Sequence, residues 1–348
     1  MILSGQFSTS IAAAAQALQR GELLGLPTET VYGLAADAGN DVAVNKIFTA
    51  KGRPTNHPLI VHVASARGVQ RFASHVPDFA QKLMDAFWPG PLTLILPRRP
   101  EVAAVAAGGQ NSVGLRCPSH PTAQAVLQSA EALGVLGVAA PSANLFGRVS
   151  PTTAAHVAGE FGGDLLILDG GACKVGIEST IVDCTRASPV LLRPGVLTSQ
   201  QLSEACGLTV IMANALDADA PRASGTLESH YAPTAKVKLM TAADLQSAIH
   251  AYVCGNSTTS GEATDAGTAA CKVAIWSRSL VELPATNAEN FHVQHMPSSV
   301  LDCAQQLFAQ LRGFDAQGAE HIWVEAPPPT PEWDGVRDRL TRAASPTR

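Results

Sequence analysis

Apolar residues recur along this chain in two rhythms. Short apolar runs at Leu23–Leu26 and Leu59–Val63, bounded by Pro and Gly, read as buried strands. Between them, Val44, Ile47 and Phe48 share one helical face and predict a helix over roughly Asp41–Ala50. Ser8 stands where it would cap an earlier helix carrying Ile11, Ala15 and Leu18 on one face. Phe79, Leu83 and Phe87 mark an amphipathic helix that stops at Trp88-Pro89-Gly90-Pro91. Leu92–Leu96 and Val113–Arg116 read as strands, and Pro121–Leu133 as a weakly periodic helix. Val135–Ala140 reads as an apolar strand entering Pro141-Ser142-Ala143-Asn144. A helix is expected from Thr152, followed by short strands at Leu165–Leu168, Thr180–Val182 and Val190–Leu192. Strands and helices intermix, which indicates a mixed α/β domain over residues 1–211.

From about Met212 the periodicity stops. Residues 212–235, rich in Ala, Pro, Ser and Gly, read as a linker that nevertheless carries Ser229, His230 and Tyr231. Beyond it, Val237–Leu239, Val273–Ile275 and His321–Val324 predict strands, and Ala242–Val253 and Val300–Leu311 predict helices. Residues 236–348 are therefore expected to form a second, smaller α/β unit, with a low-complexity loop at 255–270.

Composition narrows the class. Hydrophobic residues make up 46% and charged residues 15%, a globular balance, and the net charge of −5 argues against a broad electrostatic footprint for nucleic acid. The seven cysteines are scattered and never spaced C-x-x-C, so they read as buried thiols in a reducing compartment rather than as a zinc site or a disulfide framework. No apolar run of about eighteen residues and no basic-then-apolar leader is present, so neither a membrane span nor a secretory signal is expected. The Walker phosphate loop, G-x-G-x-x-G, H-E-x-x-H and G-x-S-x-G motifs are all missing.

Polar groups concentrate at the ends of the first predicted elements: Thr28, Glu29, Thr30, Tyr32, Lys51, Arg53, Thr55 and His62. Lys51-Gly52-Arg53-Pro54 is by itself an ordinary helix stop, and Thr28-Glu29-Thr30 by itself a solvated turn. Their density in one compact unit points further, to an anion or phosphate cradle. Spacing alone takes the reading as far as an anion-binding α/β protein.

Eight segments occur in one order: PTETVYGL at 27–34, KGRP at 51–54, PLIVHV at 58–63, WPGPLT at 88–93, APSAN at 140–144, ESTI at 178–181, LRPG at 192–195 and HYAP at 230–233. In this the chain resembles the threonylcarbamoyl-adenylate synthases, the YrdC-like family, in their two-domain form. The likeness is specific over about residues 10–235 and rests mainly on position beyond that. Ser224-Gly225 stands where the family usually has Pro-Gly before HYAP.

The resemblance implies an open twisted α/β sheet followed by a Rossmann-like domain. It implies an enzyme that joins L-threonine, bicarbonate or CO2, and ATP into L-threonylcarbamoyl-adenylate with release of pyrophosphate, for N6-threonylcarbamoyl modification of tRNA. It makes Lys51 and Arg53 the catalytic cations, with Mg²⁺ on the phosphates. Thr55, Ser112, Ser142, Asn144, Ser150 and Arg193 match positions around ATP, and Tyr231 would reach from the strap to close the pocket. Thr28, His62, Arg116, Ala140 (through its backbone) and Ser179 match positions around threonine. It further implies a cytoplasmic setting, no membrane, threonylcarbamoyl-transfer proteins as partners, and weak RNA binding. The bland alternatives are turn capping for Ser142 and Asn144, a strand-edge ion pair for Arg116, a core histidine for His62 and a turn brace for Arg193. A carbamoyl transferase of the hydrogenase-maturation kind lacks its cysteine pattern here. A pure RNA-binding module would want aromatic platforms, and aromatics are only 5%.

Overall fold

A computed structural model of the chain describes residues 1–213, 220–225, 231–256, 272–285 and 288–345. Ser229, His230 and most of the low-complexity stretch lie outside the described residues. The described residues fall into two compact units. The larger takes residues 1–146 and 150–225; the smaller takes residues 147–149 and those from Tyr231 onward.

The larger unit opens with β1 (Ile2–Ser4), α1 (Ser8–Gln19), β2 (Leu24–Leu26), β3 (Gly33–Asp37), α2 (Asp41–Lys51) and β4 (Ile60–His62). It continues with α3 (Asp78–Phe87), β5 (Leu92–Pro97), β6 (Ser112–Arg116), α4 (Pro121–Ala132) and β7 (Val138–Ala139). It ends with α5 (Ala154–Phe161), β8 (Leu166–Asp169), β9 (Thr180–Asp183), β10 (Val190–Arg193), α6 (Ser199–Cys206) and β11 (Ile211–Met212). The strands form one mixed sheet in the order β1-β8-β2-β3-β7-β4-β6-β5-β9-β10-β11.

Successive strand side chains face opposite sides, so a sheet of short strands has two chemically distinct faces. One face carries Val61, Leu92, Leu94, Leu96, Val113, Leu115, Val182 and Leu191, and it buries them against Val44, Ile47 and Phe48 of α2 and the apolar sides of α3, α5 and α6. On the other face, Leu24, Leu26, Ala35, Val138 and Leu168 are covered by Ala14, Ala15 and Leu18 of α1 and by Ala123, Val126 and Leu127 of α4. That second cover belongs to the β2-β3-β7 side of the sheet, and the candidate residues described below lie on the adjoining β4-β6-β5-β9-β10 half of the same face.

Several expectations shift by a few residues. Ser8 begins α1 rather than capping it: Phe7 holds the cap position and no side chain caps the first turn. The strand expected over Val135–Ala140 narrows to Val138–Ala139, because the Val135 amide still closes the end of α4 on the Ala130 carbonyl. The helix expected from Thr152 starts at Ala154, with the Thr153 hydroxyl accepting from the His156 amide.

The smaller unit contains β12 (Lys236–Met240), α7 (Ala242–Asn256), β13 (Val273–Ser277), β14 (Phe291–His295), α8 (Val300–Ala316), β15 (His321–Glu325) and α9 (Asp334–Ala344). Its four strands run parallel in the order β12-β15-β13-β14. Leu245 and Ile249 of α7 pack on Val273, Ile275, Phe291 and Trp323. Among the described residues no helix is long and apolar enough to cross a membrane.

Candidate functional site

The alternation of β4, β5, β6 and β9 decides which residues share the open face. Ser112, Gly114 and Arg116 lie at every second position of β6; Ile60 pairs with Gly114 and His62 with Arg116 across β4 and β6. Ile95 pairs with Gly114 from the other side, and Thr93 and Arg193 both lie opposite Ile181. A cavity over this face is lined by Ile60, Thr93, Ile95, Ser112, Gly114 and Ile181, and the segment Arg222–Ser224 lies along its rim. The lining is thus mostly apolar, with Thr93 and Ser112 as its strand hydroxyls and Arg222 as its cation.

A basic cluster is built at the end of α2. Asn40 caps the helix by accepting from the Ala43 amide, and Gly52 ends it in the left-handed conformation at φ 61°. This stop is what aims Lys51 and Arg53. Lys51 is 2% exposed; its Nζ donates to the Ser142 carbonyl at 2.6 Å and also to the Asn144 carbonyl, so KGRP and APSAN meet directly. Burial is the largest influence on its ammonium and pushes its pKa well below the ordinary lysine range; neighbouring Arg53 lowers it further, while Glu160 and Glu178 oppose the shift. Arg53 donates to the Pro58 carbonyl at 3.0 Å and the Ser224 hydroxyl at 3.2 Å, and its guanidinium lies 5.7 Å from the centre of the Phe146 ring. Arg193 closes the second side: it donates to the Ser179 carbonyl at 2.9 and 3.1 Å and to the Ser224 carbonyl at 2.8 Å. Ser224 therefore touches both guanidiniums. The turn behind Arg193 has no room to spare, since a Cβ on Gly195 would stand 2.6 Å from the Thr180 nitrogen.

A second buried polar cluster is organised by Arg116. Its guanidinium donates to Glu29 Oε1 at 2.6 Å, Thr30 Oγ1 at 2.8 Å and the Gly90 carbonyl at 3.2 Å. Burial works against the Glu29 carboxylate, but the charge and hydrogen bonds of Arg116 outweigh it and hold its pKa below the usual value. Thr28 donates to the Val31 carbonyl at 2.6 Å and shares a 3.0 Å bond with Thr30, which fixes the turn carrying Glu29. His62 is buried, and burial next to the Arg116 charge pushes its pKa down to about 3, so it is neutral at physiological pH. Its Nδ1 has no hydrogen-bond partner among the described residues. Ser179 and Thr93 share a 2.7 Å hydroxyl contact beneath Arg193.

Lys51 is thus tied to Ser142 and Asn144, and Arg53 through Ser224 to Arg193 and Ser179, with Ser112 on the cavity floor and Thr28, Arg116 and His62 gathered around the Glu29 turn. Ala140 is buried at the end of β7, its amide bonded to the Ile60 carbonyl. Ser150 donates to Glu178, a buried carboxylate. Thr55 is exposed on the turn after Arg53. Tyr231 belongs to the smaller unit, where it is 1% exposed and packs against Phe308 at 5.3 Å and under Arg339. Sequence reasoning left Thr93, Glu178 and Ser224 without a role and Glu29 as a turn residue. The period-two pattern Thr93-x-Ile95 and Ser112-x-Gly114-x-Arg116 carried the signal for the strand positions; Glu29 and Ser224 needed contacts made 87 and 171 residues away in sequence.

Comparison with known proteins bears on this arrangement. Residues 16–195 match the Sua5–YciO–YrdC family model, described as telomere recombination, and residues 197–345 match the model described as threonylcarbamoyl-AMP synthase, C-terminal domain. The chain is 37% identical to a Bacillus subtilis threonylcarbamoyl-AMP synthase over 339 residues, covering 96% of this chain and 92% of the relative. A Schizosaccharomyces pombe protein of the same name is 35% identical over 92% of this chain and 84% of its own. Among solved structures, Pyrococcus abyssi Sua5 in complex with L-threonine superposes with TM-score 0.83 at 34% identity, covering 96% of this chain and 94% of that one. A substituted form of the same protein gives 0.86 at 32% identity, with 99% and 96% covered.

Proposed function

The chain belongs to the threonylcarbamoyl-AMP synthases of the two-domain Sua5 type, and from that premise we propose how its larger unit performs the reaction. The enzyme converts L-threonine, bicarbonate or CO2, and ATP into L-threonylcarbamoyl-adenylate and pyrophosphate, the first step of N6-threonylcarbamoyladenosine formation in tRNA. Threonine becomes a carbamate on its amine. A carbamate oxygen attacks the α-phosphorus of ATP, the bond from that phosphorus to the bridging oxygen breaks, and pyrophosphate departs. Negative charge builds on the phosphoryl oxygens, so buried fixed cations serve better than a protein nucleophile.

The observation that carries this reading is the burial of Lys51, Arg53 and Arg193, each less than a tenth exposed, with Ser224 joining the Arg53 and Arg193 guanidiniums. Lys51 and Arg53 face the triphosphate. Phosphate oxygens replace Ser224 on Arg53 and Arg193, exchanging neutral acceptors for charged ones. Ser112, Ser142, Asn144 and Ser150 line the nucleotide's path, and Thr55 reaches it from the flanking turn. Arg116 binds the threonine carboxylate, with Thr28, His62, Ser179 and the Ala140 backbone around the rest of the amino acid.

Magnesium would come with the nucleotide, held mainly by its phosphates. Glu178, a buried carboxylate that acts on the Lys51 charge, would be the side chain to hold it. When bound, the ion neutralises charge on the phosphates. The cytoplasmic setting, a threonylcarbamoyl-transfer protein as the product's acceptor and weak RNA contact belong to this proposal too, and rest on the product's place in tRNA modification.

Pyrophosphate release tests the function. With ATP present, threonine or bicarbonate alone should give only background release, and the two together a sustained rate. Release indifferent to threonine would rule the assignment out.

A further inference from the structure

Resting on the synthase reading, we propose that Glu29 is the substrate-binding residue that holds the amino group of threonine. The Arg116–Glu29 pair then grips both ends of the amino-acid backbone.

The geometry sets Glu29 apart from an ordinary structural partner. Glu29 is 6% exposed and Arg116 4% exposed, so neither end of the pair faces bulk water. Only Oε1 is spent on Arg116, at 2.6 Å. Oε2 is buried and makes no hydrogen bond of ordinary length and angle among the described residues. A buried carboxylate oxygen left open is costly, and in native structures such an atom commonly awaits a partner. The partner has to be a donor, and a cationic one is favoured.

The surroundings say which donor. Arg116 spends one N–H on Thr30, one on Glu29 and one on the Gly90 carbonyl. A guanidinium has five, so N–H donors remain for a carboxylate. A ligand with a carboxylate and an ammonium one carbon apart matches the free donors of Arg116 and the open oxygen of Glu29 together. An α-amino acid has that pattern. His62, neutral with an open Nδ1, lies in the same field of Glu29 and Arg116 and suits a hydroxyl. The backbone amides of Glu29 and Ser119 also face the carboxylate and help keep it ionised.

The test compares two ligands by calorimetry, with Glu29→Gln as the variant. L-Threonine carries the amino group; (R)-3-hydroxybutyrate keeps its carboxylate, hydroxyl and methyl but lacks the amine. Wild-type protein should bind threonine roughly tenfold or more tightly than the hydroxy acid, the span expected for a charge-assisted hydrogen bond. In Glu29→Gln the amide oxygen can still accept from Arg116, while its NH2 opposes an ammonium. Threonine binding should then weaken by about tenfold or more and hydroxybutyrate binding by less than about threefold. Equal losses for both ligands would mean that Glu29 only positions Arg116, and would overturn the proposal; so would no loss for either. The wild-type comparison needs no variant to fold: equal affinities there overturn the proposal directly. Wild-type protein that binds neither ligand overturns the synthase reading itself, and this assignment with it.

Discussion

Lys51→Met should lower the rate of adenylate formation by roughly 10²–10³-fold, the range found when one preorganised electrostatic donor is removed from a reacting centre. Lys51 is buried at the stop of α2 and fixed by two backbone carbonyls of the Ser142–Asn144 segment. Its Nζ is therefore held in place before the nucleotide arrives, and phosphate favours the charged form that burial opposes. Methionine fills the same channel with a neutral side chain. The two carbonyls lose a donor, which costs stability, but the desolvation cost of a buried ammonium vanishes too, and the two changes oppose each other. The expected signature is a collapse of kcat in the pyrophosphate assay with the circular dichroism spectrum unchanged. Wild-type turnover in this variant would remove Lys51 from the chemistry.

Arg116→Leu should cost about 3–5 kcal/mol of stability, because it strands a carboxylate in the interior without its opposite charge. Glu29 is the group left behind, and its remaining neighbours are the Thr28–Thr30 turn and backbone amides. The effect has a pH signature of definite sign. In the wild type the folded-state pKa of Glu29 lies below the ordinary glutamate value of 4.5, so the pair's contribution is present above that pH and is lost as pH falls through the folded value. In Arg116→Leu, desolvation no longer meets an opposing charge and should raise the Glu29 pKa, so this group then stabilises the fold on acidification. Urea unfolding of both proteins from pH 7 to pH 4 should show the gap between them narrowing as pH falls. A gap that stays constant, or a variant as stable as the wild type at pH 7, would show that the buried pair is not what holds the Glu29 turn.

These two residues also show what the chain discloses before it folds. Lys51 was legible because a helix stop is local: apolar spacing at Val44, Ile47 and Phe48, then Lys-Gly-Arg-Pro, fixes where α2 ends. Arg116 was legible as a strand end, but its partner was not, since Glu29 follows β2 and meets Arg116 only after β2, β3, β7, β4 and β6 have lined up in the sheet. β3 escaped notice because Gly33–Asp37 is mostly small residues without a polar-apolar alternation. α6 escaped because only Leu202 and Cys206 are buried along it, although its Thr198–Gln201 capping box was there to be read. α9 escaped for a different reason: one of its fully buried side chains is Arg339, a residue that hydrophobic patterning assigns to solvent. A motif places Tyr231 in the strap, while its packing against Phe308 is a tertiary fact that no local pattern contains.

Buried cations, Lys51 foremost, drive attack of a threonine carbamate on the α-phosphorus of ATP. Mass spectrometry of reactions run with ATP, L-threonine and ¹³C-bicarbonate tests it most directly. The account predicts threonylcarbamoyl-adenylate carrying the heavy carbon, formed in step with pyrophosphate and nearly abolished in Lys51→Met. Pyrophosphate released without that labelled adenylate, or labelled product made undiminished by the variant, would contradict it.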